Sequence, residues 1–169
     1  NSQNSVRFGI GVPAGIEERL GGTYLDAASR WCQLAEGLGF DFVTLPHHRF
    51  TPGYPSGSPW VTLAALAART ERLHLGTAVY LLPLDHPLDV AEQIATLDIV
   101  SNGRAFLGAG LGYRRYEWDA LQLPYERRGT RMTEALTIVE AALTDETVEF
   151  HGEHFDFEPV AVHPRPVQQ

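Results

Sequence analysis

Lysine is absent from these 169 residues: all thirteen basic residues are arginines, and 21 acidic residues leave a net charge of −8. An acidic chain lacks the basic patch that nucleic acid or an anionic membrane surface rewards, so neither is expected as a partner. Cysteine is almost missing too. The single Cys32 excludes an internal disulfide, which fits a reducing cytoplasm. No apolar run is long enough to cross a bilayer. Residues 1–5 carry neither the basic region nor the apolar stretch of a signal peptide, and a disordered N-terminus is expected there. What is present is ordinary globular composition, 44% hydrophobic and 20% charged, at a length suited to one core.

Periodicity divides the chain into alternating units. A short, partly alternating strand is predicted over 6–12, closed by Pro13, and a helix over 23–37 with Gly39 placed to stop it. A second strand over 42–45 runs into Pro46-His47-His48, followed by a long Pro-, Gly- and Ser-rich loop at 51–58. Pro59 suits a first helical position before an Ala- and Leu-rich helix over 60–70. The third strand is expected over 73–79. A helix from Pro87 through Val100 ends at Asn102-Gly103, and the fourth strand covers 104–108. The fourth crossover is read as a short helix over 116–121 and a longer one over 128–143, and a hairpin over 147–157 turns at His151-Gly152. Strand and helix alternate four times, which predicts a parallel sheet covered by helices.

Polar chemistry collects where these strands end. His47 and His48 follow the second, Thr77 and Asp85-His86 the third, and Gly110 and Tyr113 the fourth. Parallel strands gather their carboxyl ends at one face, which in barrels is the catalytic face. The cluster Gly108-Ala109-Gly110-Leu111-Gly112 is spaced G-x-G-x-G, not G-x-G-x-x-G, and follows the fourth strand rather than the first. It reads as room for close backbone or ligand approach, not as a dinucleotide fingerprint.

Six segments occur in an order that resembles the bacterial-luciferase-like family of flavin- or deazaflavin-dependent oxidoreductases. They are 38–48 (LGFDFVTLPHH), 75–87 with its LGTAV and LPLDHP runs, 96–104 (TLDIVSNGR), 108–112 (GAGLG), 126–129 (ERRG) and 163–168 (HPRPVQ). The resemblance runs from about residue 6 to residue 168.

The resemblance implies a (β/α)₈ TIM-type barrel, of which this chain holds four βα units, a half barrel, with a small terminal hairpin. It implies reduced FMN or coenzyme F420, a deazaflavin, bound at the strand tips. His47 matches the histidine that lies beside the isoalloxazine and takes part in proton transfer, and an imidazole titrating near neutrality suits that task. His48 matches its neighbour. Ala78-Val79 matches a place where the family often has a non-prolyl cis peptide behind the ring, next to Thr77. Gly110, Leu111 and Tyr113 match the strand-end residues along the ring's edge. Arg131 is the candidate phosphate contact, because a guanidinium fork fits phosphate oxygens, whereas Arg104 reads as structural. Where the family often has an acidic residue before the histidines, this chain has Pro46.

The family's second half supplies much of the phosphate loop and part of the substrate wall. A half barrel leaves its first and fourth strands unpaired, so either the missing half-barrel or a second copy in a homo-oligomer is expected to cover it. The function expected is oxidation or reduction of a small organic substrate, by FMN-dependent monooxygenation with a flavin reductase partner or by F420-dependent hydride transfer. A non-enzymatic, flavin-binding half-barrel is the alternative. Seven histidines also raise a metal-dependent hydrolase, but His47 and His48 are adjacent and diverge, and no paired carboxylates accompany them, so no metal ligands are assigned. Tyr54, Trp60, Tyr80, Tyr113 and Trp118 are open between lining an apolar pocket and simply packing.

Overall fold

Four short runs of alternating residues pair side by side because each keeps its apolar set on one face. The computed structural model describes residues 6–54 and 57–168, so the expectation for 1–5 lies outside the described residues. The element order is β1 (Gly9–Gly11), α1 (Ile16–Leu20), α2 (Tyr24–Gly37), β2 (Phe42–Leu45), α3 (Pro59–Ala67), β3 (His74–Thr77), a 3₁₀ turn (Leu82–Leu84), α4 (Pro87–Ser101), β4 (Ala105–Phe106), α5 (Arg115–Ala120), a second 3₁₀ turn (Tyr125–Arg127), α6 (Arg128–Thr144), β5 (Val148–His151) and β6 (Asp156–Val160). The first four strands form one sheet in the order β1-β2-β3-β4, parallel throughout, and β5 pairs with β6 as an antiparallel hairpin.

Register fixes which residues share a face. Ile10, Val43, Leu75 and Ala105 lie in one row across the sheet, and all four belong to or pack against the main core with Cys32, Leu63, Leu66 and Ile138. Each fully buried Val or Leu of that layer contributes roughly 1.5–3 kcal/mol. The next row, Gly11, Thr44, Gly76 and Phe106, points the other way. There the rings of Phe42 and Phe106 meet edge to face at 5.7 Å, and a Cβ on Gly76 would strike the Phe106 ring. Phe42, Thr44 and Phe106 stay half-buried, so one face is covered by helices and the other is open, as expected of half a barrel.

The differences from the expected elements have local causes. Helix α1 was not anticipated; its five residues carry one buried apolar side chain, Ile16, too little for a periodic signal. The first, third and fourth strands are shorter than predicted, while β2 keeps its expected bounds; bonds from Asp41 N–H to Phe8 O and from Val12 N–H to Thr44 O continue the β1–β2 ladder. Helix α3 ends at Ala67 rather than at 70. The hairpin turn is wider than expected, at 152–155, because the Glu134 carboxylate accepts from the N–H groups of Glu153, His154 and Phe155.

At the amino-terminal base of the sheet, Arg104 binds the ends of three elements. Its guanidinium donates to Ser101 O (2.6 Å), Leu73 O (2.9 Å), Ala67 O (2.9 Å), Thr70 O (3.1 Å) and Thr70 Oγ1 (3.0 Å). Beside it, Asp98 accepts from the N–H groups of Ala105, Val167 and Gln168 and from the Gln168 amide. Arg165 caps the end of α6 through the carbonyls of Ala142, Leu143 and Asp145. The structural reading of Arg104 is thus met. Replacing Arg104 by Met keeps the apolar stem and strips these donors from partly buried carbonyls. The expected loss is about 2–4 kcal/mol, measured as a lower urea midpoint at an unchanged slope.

Candidate active site at the strand tips

Leu45 is the last residue of β2, and Pro46, with no N–H, takes the chain out of the ladder. His47 then turns inward. Its ring stacks on Tyr80 at 4.4 Å between centroids, and Tyr80 in turn packs against Trp60 at 5.0 Å. Nδ1 of His47 accepts from the Leu81 N–H at 3.2 Å, which places the proton of the neutral ring on Nε2. Burial foremost, then the charges of Arg49 and His48, push its pKa down to about 3, with the Gly57 backbone acting weakly the other way. The expectation of an imidazole titrating near neutrality is therefore not met at His47. It is a neutral group at 1% exposure.

Beyond β3 the Ala78–Val79 peptide is cis. The ladder resumes after it: Tyr80 N–H donates to Gly108 O, Gly110 N–H donates to Tyr80 O, and Tyr80 bridges Ala109. The Thr77 hydroxyl fills the gap before the cis bond, donating to Gly108 O at 3.0 Å and accepting from Gly108 N–H at 3.2 Å. Gly110 is required by proximity, since a Cβ there would meet the Val79 side chain.

These tips enclose a cleft of about 500 Å³, within the range of small-molecule sites. It is lined by the apolar Pro46, Ala78, Val79, Leu81 and Leu111, by Gly112, and by the polar His47, His48, Tyr113 and Arg128. Of the residues singled out in the sequence, His47, His48, Ala78, Val79, Leu111 and Tyr113 come together here. Thr77 and Gly110 stand behind the wall and shape it. Arg131 does not line the cleft: its Nε donates to Pro83 O at 2.8 Å and its guanidinium lies over Phe155 at 4.4 Å, so packing occupies it. Arg128, three residues earlier in the same helix, is the arginine on the rim. Segment 126–129 carries the family likeness, but helical phase decides which arginine faces the cleft, and the irregular preceding loop hides that phase in the sequence.

Of the five aromatics, Trp60, Tyr80 and Trp118 are buried packing residues, while Tyr54 and Tyr113 flank His48 edge-on at 5.3 and 6.3 Å. Behind the cleft, Arg49 pairs with Asp85, which also accepts from the Tyr80 hydroxyl at 2.8 Å. Glu117 on α5, missed in the sequence, is fully buried and accepts from Arg49 N–H at 2.8 Å. Among the described residues no three His, Cys, Asp or Glu side chains converge as a metal site. A second groove of about 560 Å³ follows the outer edge of β4. Its charged members, Asp98 and Arg165, are committed to backbone groups.

A parallel sheet with a half-apolar cleft at its carboxyl ends defines a barrel-type ligand site. Residues 6–169 match the model of the luciferase-like monooxygenase family, and the chain belongs to that family. It is 35% identical over 156 residues to the uncharacterized protein Rv0953c of Mycobacterium tuberculosis, covering 80% of this chain and 55% of that one. Among solved structures it resembles monooxygenase RslO1 from Streptomyces bottropensis, with 31% identity and a TM-score of 0.88 over 97% of this chain and 51% of the other. It also resembles the coenzyme F420 dependent tetrahydromethanopterin reductase from Methanopyrus kandleri, with 25% identity and a TM-score of 0.75 over 96% and 47%. The chain thus spans about half the length of the relatives it matches.

The His47 assignment is open to measurement. Because its pKa is depressed in the folded protein, it contributes stability that is fully present above the ordinary value of 6.5 and is lost as pH falls towards 3. The His47 ring resonances are expected to stay those of one neutral tautomer from pH 8 to about 4, where an ordinary histidine titrates completely. A midpoint near 6.5 for this ring refutes the assignment.

Proposed function

We propose that this chain provides the strand-tip half of a reduced FMN or F420 site in an oxidoreductase acting on a small organic substrate. The observation that carries the reading is the cleft itself: an apolar lining that includes the cis Ala78–Val79 peptide and Leu111, with His47, His48, Tyr113 and Arg128 as its polar members. Such a surface suits a flat tricyclic ring, which needs apolar contact beneath and few, well-placed polar groups at its edge. Val79 and Leu111, both 43% exposed, offer that contact. Gly110 lets Val79 sit low enough to leave the space open. Arg128, rather than Arg131, is the side chain positioned to meet a phosphate or another anionic group of the ligand.

Bound there, reduced FMN supplies electrons for oxygen activation, with a separate flavin reductase as partner, while reduced F420 supplies a hydride. The residues of this chain hold the ring, exclude water from its underside and present imidazoles to its rim. The family membership and the likeness to a monooxygenase and to an F420-dependent reductase support both coenzyme classes. The open sheet face around Phe42 and Phe106 supports a covering partner, either a second half-barrel continuous with this one or another copy of the chain. The cytoplasm is the proposed location, in keeping with the single, buried thiol.

Titrating the anaerobic protein with reduced FMN and with reduced F420, followed by fluorescence, tests the reading. Binding of one of the two is expected. Gly110→Ala, whose new methyl displaces the Val79 side chain into the cleft, is expected to weaken that binding at least about tenfold, the equivalent of 1.4 kcal/mol. Equal binding by the variant, or no binding of either coenzyme, contradicts the reading.

A further inference from the structure

Two acids are fully buried among the described residues, and they are treated differently. Asp98 accepts from four donors. Glu117 accepts from one, the Arg49 N–H, and its Oε2 is buried without a hydrogen-bond partner. A carboxylate so poorly solvated is strongly disfavoured unless a cation lies against it. The group in that position is His48, whose Nδ1 is 3.6 Å from Glu117 Oε1 and likewise has no hydrogen-bond partner. That separation is a charge contact, one small rotation from a hydrogen bond. Tyr54 and Tyr113 fix the imidazole from its edges. With Nδ1 turned to the acid, Nε2 occupies the opposite edge of a ring that lines the cleft.

We propose that Glu117 positions His48 through Nδ1, so that the His48–Glu117 pair, rather than His47, exchanges protons with the occupant of the cleft. The identity of that occupant rests on the oxidoreductase reading above; the pair itself does not. In the forward step the Nε2–H bond of the His48 imidazolium breaks and its electron pair stays on Nε2. The proton passes to a basic oxygen or nitrogen of the bound ligand. The pair goes from net neutral to a single negative charge, while Nδ1–H remains directed at Glu117. Uptake of a proton at Nε2 is the reverse. His47 cannot take this part, because Nδ1 is committed to the Leu81 N–H and Nε2 is buried.

The remaining groups around His48 leave the acid as its dominant electrostatic partner. The Arg49 guanidinium is paired with Asp85. Arg114 is held by the hydroxyls of Thr51 and Tyr116, and the Arg128 guanidinium lies over the Tyr125 ring at 4.0 Å. His47 is neutral, and the other neighbours are the phenols of Tyr54 and Tyr113.

Nitrogen NMR of histidine-labelled protein, without coenzyme, tests the pair. In the Glu117→Gln variant, where the amide oxygen still accepts from Arg49 N–H, the proton of the neutral His48 ring is expected to redistribute from Nδ1 towards Nε2, and the His47 signals are expected not to respond. An unchanged His48 tautomer ratio overturns the proposal. Should the variant not fold, the parent protein decides. The neutral His48 ring at high pH is expected to carry its proton on Nδ1, facing the acid, and a proton on Nε2 overturns the proposal. Since no coenzyme is present, failure of either coenzyme to bind in the earlier titration counts against the oxidoreductase reading and leaves this result standing.

Discussion

The register of β3 against β4 is the constraint on which the site depends, and it is set at the end of the sheet remote from the cleft. Arg104 gathers carbonyls from the end of α3, the start of β3 and the end of α4, while Asp98 collects the first N–H of β4 together with the segment at 167–168. With both strands anchored there, their tips emerge level, and Thr77, Gly108, Tyr80 and Gly110 can rebuild the ladder around the cis peptide. Misplacing either strand by one residue would exchange the core row for the open row and turn Leu75 and Ala105 away from the helices.

One device recurs at the joints. A carboxylate accepts from consecutive backbone N–H groups where an element begins: Glu36 from 71–73 before β3, Asp98 from 167–168, Glu134 from 153–155 in the hairpin turn. For Glu36 and Asp98, burial opposes ionisation, but these donors outweigh it and lower both pKa values. Their contribution is present above the ordinary carboxylate range and fades as pH falls through the lowered values. In an arginine-only, acidic chain these acids serve architecture, and Glu117 stands out because it lacks such a set of donors.

Much of the architecture could be read in the residues. The 42–45 strand, the proline that opens α4, the Asn102 that ends it in a left-handed conformation and the order of the βα units all follow from local pattern. The rim residues His47, His48, Ala78, Val79, Leu111 and Tyr113 could be placed by strand-end logic together with the family likeness. Helix α1 escaped because it is a single turn with one buried side chain. Arg128 is on the cleft where Arg131 is expected, because the face an arginine presents depends on helical phase after an irregular crossover. The protonation behaviour of His47 is not legible in the sequence, since it arises first from burial, with the charges of Arg49 and His48 adding to it, and its tautomer is set by a backbone N–H contributed 34 positions away. Glu117 was hidden for a similar reason: its partners Arg49 and His48 are remote in sequence, and its own helix looks like a solvent-facing turn.

Anchoring and chemistry occupy opposite ends of strands only two to four residues long, a separation of roughly 13 Å at about 3.3 Å per residue. Free-energy effects of changes that far apart with no shared partner combine nearly additively. The rim of this molecule can therefore accumulate substitutions that retune what the cleft accepts without loosening the sheet beneath it. The reserve of stability needed to tolerate such drift resides in Arg104 and Asp98, two side chains that no ligand in the tip cleft would contact.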